Sequence, residues 1–437
     1  MRIVLFGLGK MGLPLAVHCA AAGHEVMGVD IQATLVDQIN AGQLPYDHEP
    51  GLAERFTAVW QQGALQATTD TARAVRHAEA IVVIVPVKLT ADKRADLSAI
   101  LAVTTQIGQY LRPGTLVSYE TTLPVGTTRH ELVPLLEQCS GLRCGTDFHA
   151  VFSPERVKSG SVFAKLHATP KIVGGYSPAC TASGMRFYAA CQHGDVINAE
   201  TLEAAELAKL AGMLYRDVNI ALVNQLAIYA MAKNVDLHKV IAWANTDGES
   251  ALLQPGIGVG GHCTPVYPYF LIRDAETWGI DMSLAASARQ INDTMVSRIL
   301  TITQTDVAAQ RVLILGLAFR PDIKEDTASP TYLIHRHLQR LGAEVRVHDP
   351  FYTPEELQAR GLQPACLESG ERYDLAILTV MHQAYQALDL SRLKPMGIRL
   401  LIDGRNGFDP AAVAAAGIRY VGVGRGDLYG NSNAYRY

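Results

Sequence analysis

The sequence predicts an α/β protein in which two doubly wound parallel-sheet domains are joined by a long central helix. Three observations predict this fold class. Short runs rich in β-branched residues alternate with helical patterns in the first part of the chain. Residues 201–234 then contain no proline and only one glycine, Gly212, which is typical of an uninterrupted helix. After Arg311 the alternation of strands and helices returns.

The predicted strands are short apolar runs that end in turns. In the first domain they are the segments RIVLFG, HEVMGVD, AIVVIVP, TLVSYETT and HAVFSPE. In the second α/β domain they are RVLILGLAF, AEVRVHDP, YDLAILTV and RLLIDGRN. We expect three domains, covering residues 1–200, 201–300 and 301–437.

The helix predicted over 201–234 would be roughly 50 Å long at 1.5 Å per residue. It is apolar on several faces, so it needs packing partners all round. A core helix within one chain would satisfy this requirement. We favour the interpretation that the helix also pairs two chains in a homodimer.

Composition excludes several classes of protein. The 437 residues carry a net charge of −4 with both signs spread along the chain, which does not suggest nucleic-acid binding. No apolar run is long enough for a membrane span, and the N-terminal MRIVLFGLGKMG is typical of a strand and turn rather than a signal peptide. The seven cysteines have irregular spacing, so we expect neither a disulfide framework nor a metal site, and we predict a cytoplasmic enzyme.

A glycine fingerprint follows the first predicted strand. Gly7, Gly9 and Gly12 permit a tight turn, close approach of a pyrophosphate and packing of the next helix. The second strand ends at Asp30, whose carboxylate can accept both ribose hydroxyls of NAD and would repel the 2′-phosphate of NADP. A merely structural glycine turn is the alternative. The fingerprint predicts a Rossmann-like NAD site, whereas the turn in the strand after Arg311 lacks it, so we expect no second dinucleotide site.

One cysteine lies behind a run of glycines. In PGIGVGGHCTPVYPYF, Pro255–Phe270, a substrate could reach Cys263 because the preceding loop carries little side chain. A thiol beside NAD can add to an aldehyde, and loss of hydride from the thiohemiacetal then gives a thioester. Hydrolysis of that thioester needs a base and a group that stabilises the oxyanion. The pattern therefore favours Cys263 as a nucleophile.

Segments across nearly the whole chain resemble the nucleotide-sugar C6 dehydrogenases, the UDP-glucose/GDP-mannose dehydrogenase family. They are GLGKMG, ETTLPVGTT, FSPERV, ELAKLAGMLYRDVNIALVNQLA, PGIGVGGHC, ARQINDTM, GLAFRPDIKEDTASP and DGRN. SPERV, RDVNIA and GVGGHC resemble the branch that acts on UDP-N-acetylhexosamines. The resemblance implies two NAD-linked oxidations of a CH₂OH group to a carboxylate, commonly in a homodimer, and a place in polysaccharide biosynthesis.

The resemblance also implies roles for individual residues. Cys263 would be the nucleophile, and the Lys209 ammonium would stabilise alkoxide or oxyanion character. Thr122 would position a water, and Glu155 would act as its base or bind the substrate. Without the resemblance, Lys209 would be read as a solvated helix lysine and Glu155 as an exposed loop carboxylate. Asn224 matches a family asparagine, although it could serve only to pack the helix.

Further residues are assigned to the two ligands by the same resemblance. Cofactor contacts are expected at Lys10, Met11, Pro86 and Thr122, in addition to Gly7, Gly9, Gly12 and Asp30. Substrate contacts are expected at Glu155, Lys209, Gly258, Gly260, Phe319, Arg320 and Arg405. Surface salt bridges would be the simpler explanation of either arginine alone.

Two residues depart from the family pattern. Tyr267 stands where an aspartate usually follows the nucleophile, and Met213 stands where an asparagine follows the helix lysine. A thioether is a weak acceptor and a phenol is a poor base at neutral pH. We favour a UDP-sugar 6-dehydrogenase acting on UDP-GlcNAc or UDP-ManNAc, with UDP-glucose possible. A two-electron dehydrogenase of the β-hydroxyacid type and a catalytically impaired nucleotide-sugar binder are the alternatives.

Overall fold

Two large sheets, each with its own helices, organise the chain. In this computed structural model the described residues are 1–46, 49–157, 160–166, 168–191 and 194–428. Within them lie an eight-stranded sheet, a five-stranded sheet and a small two-stranded hairpin. The chain divides into two compact units, the first made of residues 1–212 and 269–280, the second of residues 213–268 and 281–437. The three predicted domains, 1–200, 201–300 and 301–437, remain a prediction, and residues 429–437 lie outside the described part.

The first unit contains the eight-stranded sheet and the hairpin. The strands are β1 Arg2–Phe6, β2 Glu25–Val29, β3 Leu65–Thr68, β4 Ala80–Val83, β5 Lys88–Leu89, β6 Ala95–Asp96, β7 Leu116–Tyr119, β8 His149–Phe152, β9 Lys171–Gly175 and β10 Val196–Thr201. The order across the sheet is β10-β9-β8-β7-β4-β1-β2-β3, and β5 pairs with β6 in the hairpin. Neighbours are parallel except β8 and β9, so β9 and β10 run against the other strands.

Helices connect these strands because a parallel pair cannot be joined by a short turn. They are α1 Gly12–Ala21, α2 Ala33–Asn40, α3 Leu52–Gln61, α4 Thr71–Val75, α5 Ser98–Tyr110, α6 Val133–Ser140, α7 Val162–Leu166 and α8 Pro178–Cys191. All four residues of β4 and of β7 are buried, as expected of central strands covered on both faces.

The helix predicted over 201–234 is present as α9, Leu202–Ala232. It begins one residue later because Thr201 still belongs to β10. It ends before Asn234, which has a φ of 57°, a left-handed conformation that asparagine tolerates at a helix end. The division between the two units falls within this helix, after Gly212.

The second unit is built on the five-stranded sheet. Its strands are β11 Arg311–Leu315, β12 Glu344–His348, β13 Leu375–Leu378, β14 Leu400–Asp403 and β15 Arg419–Gly422. The order is β12-β11-β13-β14-β15 and every pair is parallel. The remaining helices are α10 Leu237–Ala244, α11 Pro268–Thr277, α12 Ser283–Asp293, α13 Met295–Ile302, α14 Pro330–Arg340, α15 Pro354–Ala359, α16 Gln383–Gln386 and α17 Pro410–Ala415. Most of α11 belongs to the first unit.

Two separate cores cover the faces of the second sheet. Val312 and Ile314 of β11 lie in one hydrophobic cluster, while Leu313 and Leu315 lie in the other. This alternation follows from the period of two residues in a strand. Both faces are apolar and covered, which confirms the predicted fold class of two Rossmann-like doubly wound domains with a long central helix.

Every strand predicted from the sequence is present, and six strands of the described residues were not predicted: β3, β5, β6, β9, β10 and β15. β10 reads VINAET and leaves each residue at least partly exposed, so it lacks the apolar run on which the prediction relied. Across the described ranges, no helix combines the length and apolar character that crossing a membrane requires. Within those ranges there is also no cluster of three or more His, Cys, Asp or Glu residues that could hold a metal ion.

Candidate active site

The glycine loop between β1 and α1 is the place where the sequence predicts a cofactor cradle. Gly7 has a φ of 95°, which turns the chain directly after the strand, and its N–H donates to the carbonyl of Val29 (2.9 Å). A Cβ at Gly12 would lie 1.7 Å from the Gly7 oxygen, so only glycine lets α1 begin there. A Cβ at Gly9 would meet nothing within 4 Å. The loop is thus tight on its protein side and open at Gly9, which fits a diphosphate at the helix N-terminus.

Asp30 stands at the end of β2 and holds the glycine loop from the side. Its carboxylate accepts the N–H of Leu8 (2.9 Å) and the N–H of Gln32 (3.0 Å). Each oxygen keeps further acceptor capacity, because a carboxylate has about four acceptor positions. Asp30 can therefore orient the loop and still accept ribose hydroxyls, which fits the predicted NAD site.

Alanine substitutions should separate cofactor binding from folding. In Gly9→Ala the added methyl meets no protein atom, so the melting temperature of the apo-protein should barely change. The Kd for NAD should rise roughly tenfold or more, about 1.4 kcal/mol, because the methyl occupies the open space of the cradle. Gly12→Ala should instead lower the melting temperature, because its Cβ overlaps the Gly7 carbonyl. Calorimetric titration with NAD and thermal unfolding measure both effects, and unchanged NAD affinity in Gly9→Ala would argue against the cradle.

The other residues assigned to the cofactor lie beside this loop or at the ends of neighbouring strands. Lys10 and Met11 are partly buried between Gly9 and α1. Pro86 is exposed after β4, where Thr121 donates to the carbonyl of Val85 (2.6 Å). Thr122 follows β7 and is 4% exposed. These positions belong to the carboxyl edge of the parallel strands, where ligands of such sheets bind.

Glu155 and Lys209 meet within the first unit. The Lys209 ammonium, 7% exposed, donates to the backbone carbonyl of Glu155 (2.6 Å). The Glu155 carboxylate accepts the N–H of Val157 (2.7 Å) and lies 3.4 Å from the Lys171 ammonium. Burial raises the pKa of Glu155, but the charge of Lys171 and the Val157 N–H outweigh it, so the pKa lies below its usual range. The interpretation of Lys209 as a solvated helix lysine is therefore wrong.

The glycines before Cys263 serve close packing. A Cβ at Gly258 would lie 2.6 Å from the Cβ of Pro330, and one at Gly260 would lie 2.6 Å from the Cβ of Phe319. The N–H of Gly261 donates to the carbonyl of Thr327 (2.9 Å). The loop therefore lies flat on the segment between β11 and α14. It ends at Cys263, which is partly exposed, so a loop with little side chain can deliver a thiol to a fixed place.

Arg405 and Asn224 hold the other side of the glycine loop. The Arg405 guanidinium donates to the carbonyls of Thr379 (2.7 Å) and Gly258 (3.3 Å). The Asn224 side chain accepts the N–H of Gly256 (2.9 Å) and donates to Asn292 (2.9 Å). Both side chains thus fix the backbone that leads to Cys263. The sequence left open whether Asn224 serves only to pack the helix. The structure shows that it also holds the backbone of the glycine loop.

The remaining predicted residues lie next to groups already described. Arg320 is partly buried, and its guanidinium carbon lies 5.1 Å from the ring centre of Phe319. Tyr267 donates its backbone N–H to the carbonyl of Cys263 (2.9 Å), so it lies one turn beyond the thiol. Met213 is partly buried on α9, one turn after Lys209. Nothing in the structure explains why a thioether occupies that position.

The turn after β11 repeats the turn after β1. Gly316 has a φ of 111° and donates its N–H to the carbonyl of His348 (2.8 Å), as Gly7 does to Val29. Asp349 accepts the N–H groups of Leu317 (2.7 Å) and Ala318 (2.9 Å), in the way that Asp30 accepts Leu8. The third position differs, because Ala318 is 1% exposed where the first unit has the open Gly9. This departure fits the expectation that the second sheet lacks a dinucleotide cradle.

Both units match domains of one known protein family. Residues 1–192 match the NAD binding domain of the UDP-glucose/GDP-mannose dehydrogenase family, residues 203–294 match its central domain, and residues 313–410 match its UDP binding domain. UDP-N-acetyl-D-mannosamine dehydrogenase of Pyrococcus horikoshii is 32% identical over 438 residues, which cover 98% of this chain and 100% of that protein.

A second relative and a solved structure agree. NDP-N-acetyl-D-galactosaminuronic acid dehydrogenase of Ralstonia solanacearum is 34% identical over 427 residues, covering 94% of this chain and 97% of that protein. The structure of UDP-D-ManNAc dehydrogenase from Pyrococcus horikoshii matches with a TM-score of 0.87 at 31% identity, covering 98% of this chain and 100% of that one. The chain therefore belongs to the UDP-glucose/GDP-mannose dehydrogenase family and is an NAD-dependent UDP-sugar dehydrogenase.

Proposed function

We propose that the protein oxidises the C6 hydroxymethyl group of a UDP-sugar to a carboxylate in two steps. When bound in the glycine cradle, NAD would supply the hydride acceptor for both steps. The balance is RCH₂OH + 2 NAD⁺ + H₂O → RCOO⁻ + 2 NADH + 3 H⁺. UDP-ManNAc or UDP-GlcNAc is the favoured substrate, with UDP-glucose possible, because the two relatives described above are named for N-acetylated sugars.

The observation that carries this proposal is the placement of Cys263. Packing against Phe319 and Pro330 fixes its loop, and the thiol end of the loop stays partly exposed. In our scheme the thiolate adds to the C6 aldehyde and gives a thiohemiacetal on Cys263. Loss of the second hydride gives a thioester, and attack by water releases the acid and restores the thiol. A two-electron dehydrogenase has no use for such a thiol.

Lys209 and Glu155 supply the remaining chemistry in this scheme. The Glu155 carbonyl holds the Lys209 ammonium in place, and the charge of that ammonium suits a developing alkoxide or oxyanion. The Glu155 carboxylate, whose side chain is 10% exposed, takes a proton from the attacking water. Thr122, buried at the end of β7, positions that water.

The second unit binds the UDP part of the substrate in this proposal. Arg320, after the Gly316 turn, would contact the diphosphate, and the backbones of Gly258 and Gly260 would line the sugar. Arg405 acts chiefly by holding Gly258, since its guanidinium already serves two carbonyls. Its assignment as a substrate residue stays a prediction.

Stoichiometry tests the function. UDP-ManNAc, UDP-GlcNAc, UDP-GalNAc, UDP-glucose and GDP-mannose are each incubated with the enzyme and NAD, and NADH is measured per sugar consumed. We expect two equivalents of NADH and an acid product with an N-acetylated UDP-sugar. One equivalent of NADH with an aldehyde product would refute the four-electron reaction. That is the result expected of the alternative, a two-electron dehydrogenase of the β-hydroxyacid type. Binding of a sugar nucleotide without formation of NADH would establish the other alternative, a catalytically impaired nucleotide-sugar binder, which Tyr267 and Met213 suggest.

We also propose that α9 pairs two chains. Tyr215, Leu222 and Tyr229 recur every seven residues and are 59%, 45% and 63% exposed. Val218 and Gln225 lie between them, which gives the alternating spacing of three and four residues of a helix-pairing seam. An identical seam on a second copy is the occupant that this continuous stripe fits best.

A charge in the seam should dissociate the dimer. Leu222→Asp places a carboxylate among apolar side chains of the partner, so light scattering should report the mass of one chain instead of two. Leu341→Asp, at a leucine of the second unit that is 44% exposed, is the matched substitution and should leave the mass unchanged. A wild-type protein with the mass of one chain at micromolar concentration would rule out the seam.

The compartment and process follow from the same proposal. All seven cysteines are free in the structure, which suits the reducing cytoplasm. A uronate-bearing nucleotide sugar is a donor of the kind that polysaccharide assembly consumes. We therefore propose a cytoplasmic enzyme of polysaccharide biosynthesis.

A further inference from the structure

A buried cluster of charges lies behind Glu155. The Lys171 ammonium lies 2.7 Å from a carboxylate oxygen of Glu120 and 3.4 Å from one of Glu155. The exposed fractions of these side chains are 5%, 4% and 10%. One buried cation therefore serves two carboxylates, of which the proposed reaction uses only one.

The sheet brings these groups together from distant parts of the chain. Glu120 directly follows β7, and Glu155 donates its backbone N–H to the Glu120 carbonyl (3.2 Å). Lys171 is the first residue of β9, one of the two strands that run against the rest. The reversal of β9 places the lysine at the same edge of the sheet as the ends of β7 and β8.

Glu120 is fixed by neutral partners as well. Its second oxygen accepts the hydroxyl of Tyr188 from α8 (2.7 Å), and that hydroxyl also bonds to Ser118 (2.6 Å). One oxygen of Glu120 thus serves Tyr188, and the other serves Lys171. Lys171 in turn reaches Glu155, whose remaining oxygen is held by Val157.

Other titratable groups also face this cluster. Lys209 on α9 and Arg156 next in sequence act on Glu155. Cys19 on α1 acts with Glu120 and Lys171, and His18, Cys19 and Cys191 line a small cavity together with Glu120. Burial raises the pKa of Glu120, whereas Glu155 has a lowered pKa, because burial is outweighed there by Lys171 and by backbone N–H groups. Burial lowers the pKa of Lys171, but the two carboxylates raise it above its usual range.

We propose that Lys171, held by Glu120, is a positioning residue that keeps Glu155 ionised and correctly oriented for water. This proposal rests on the proposed function, in which Glu155 accepts a proton from water during hydrolysis of the Cys263 thioester. The proton then passes to solvent, and Glu155 must be ionised again for the next turnover. Without a buried cation, a carboxyl that is only slightly exposed would hold its proton and block this step.

The test uses a variant that keeps the charge of the cluster balanced. Lys171→Met/Glu120→Gln removes the cation and its companion carboxylate together, which limits the structural cost of an uncompensated buried charge. The amide oxygen introduced by Glu120→Gln can still accept from Tyr188. Carbon-13 NMR of glutamate-labelled protein follows the carboxyl titrations, and the signal missing in Glu155→Gln identifies Glu155. We expect the Glu155 titration to move upward by about one pH unit or more, and the acid limb of the pH profile for acid formation to move with it.

Two further variants serve as controls. Lys171→Arg keeps the cation and should restore the wild-type titration. Tyr188→Phe removes a neutral hydrogen bond to Glu120 and should leave the titration of Glu155 in place. An unshifted Glu155 signal in the double variant would overturn the proposal. If Glu155→Gln still forms acid at the wild-type rate, the role of Glu155 as base fails, whereas the NMR titration still decides whether Lys171 controls its ionisation.

Discussion

Replacing Cys263 by alanine should reduce formation of the sugar acid by at least roughly 10³-fold, the kind of loss that follows removal of a covalent nucleophile. The protein should still fold, because Cys263 is only partly buried and its backbone contacts to Val266 and Tyr267 do not involve the side chain. Binding of NAD should be unchanged, because the glycine cradle belongs to β1 and α1. Some aldehyde formation should remain, since the first hydride transfer precedes attack by the thiol.

Product analysis and NADH stoichiometry measure this prediction. Cys366→Ala, at an exposed cysteine, is the matched control and should behave as wild type. Cys263→Ser should also lose acid formation, because a hydroxyl is a weaker nucleophile than a thiol. Acid output at the wild-type rate from either Cys263 variant would remove the thiol from the mechanism.

Loss of Arg289 should cost about 3–5 kcal/mol of unfolding free energy, the range for removing one partner of a buried ion pair. Arg289 on α12 is 2% exposed and lies 2.6 Å from Asp217 on α9, which is fully buried. Burial raises the pKa of Asp217 to about 6 despite the arginine, so both proteins should be compared near pH 8, where the wild-type pair is ionised. Loss of the arginine raises the pKa of Asp217 further, which is part of the expected cost. Denaturant unfolding of the wild type and of Arg289→Met measures this change in unfolding free energy.

Two controls show whether the loss of unfolding free energy comes from the Asp217 charge that Arg289→Met leaves unpaired. Asp217→Leu/Arg289→Met removes both fully buried charges and should cost clearly less than Arg289→Met alone, because only Asp293, whose side chain is 29% exposed, then loses an ion-pair partner. Arg399→Met breaks an exposed pair with Asp374 and should cost about 1 kcal/mol or less. If the double variant is as unstable as the single one, packing rather than charge explains the loss.

The parts of the site that lie next to one another in the chain were predictable. The Gly7–Gly12 loop and Asp30 follow from local chemistry, since a turn, a helix start and a strand end each have their own residue preferences. The long apolar run of α9 and the strands β1, β2, β4, β7 and β8 follow from periodicity. The thiol on its glycine loop was predictable for the same reason.

The parts that depend on pairing of distant residues were not predictable. Lys171 and Glu120 are 51 positions apart, and only the reversal of β9 brings them together. The roles of Arg405 and Asn224 in holding the loop depend likewise on contacts across 147 and 32 positions. Lys209 was assigned to chemistry by resemblance alone, because its burial cannot be read from a helix with several apolar faces.

The difference between Gly9 and Ala318 bears on how the enzyme keeps two diphosphate-containing molecules apart. The two sheets turn in the same way after their first strands, so each offers a similar crevice to a nucleotide. The open Gly9 leaves room for a pyrophosphate to approach the backbone of the first unit, whereas the buried methyl group of Ala318 fills the equivalent place in the second. In our proposal the diphosphate of the sugar nucleotide is therefore held there by a side chain, Arg320, rather than by the backbone of the turn. Because the NAD binding and UDP binding domains are separate parts of the chain, saturating levels of the sugar nucleotide should not displace the coenzyme, and each ligand pool can vary in the cell without competing with the other.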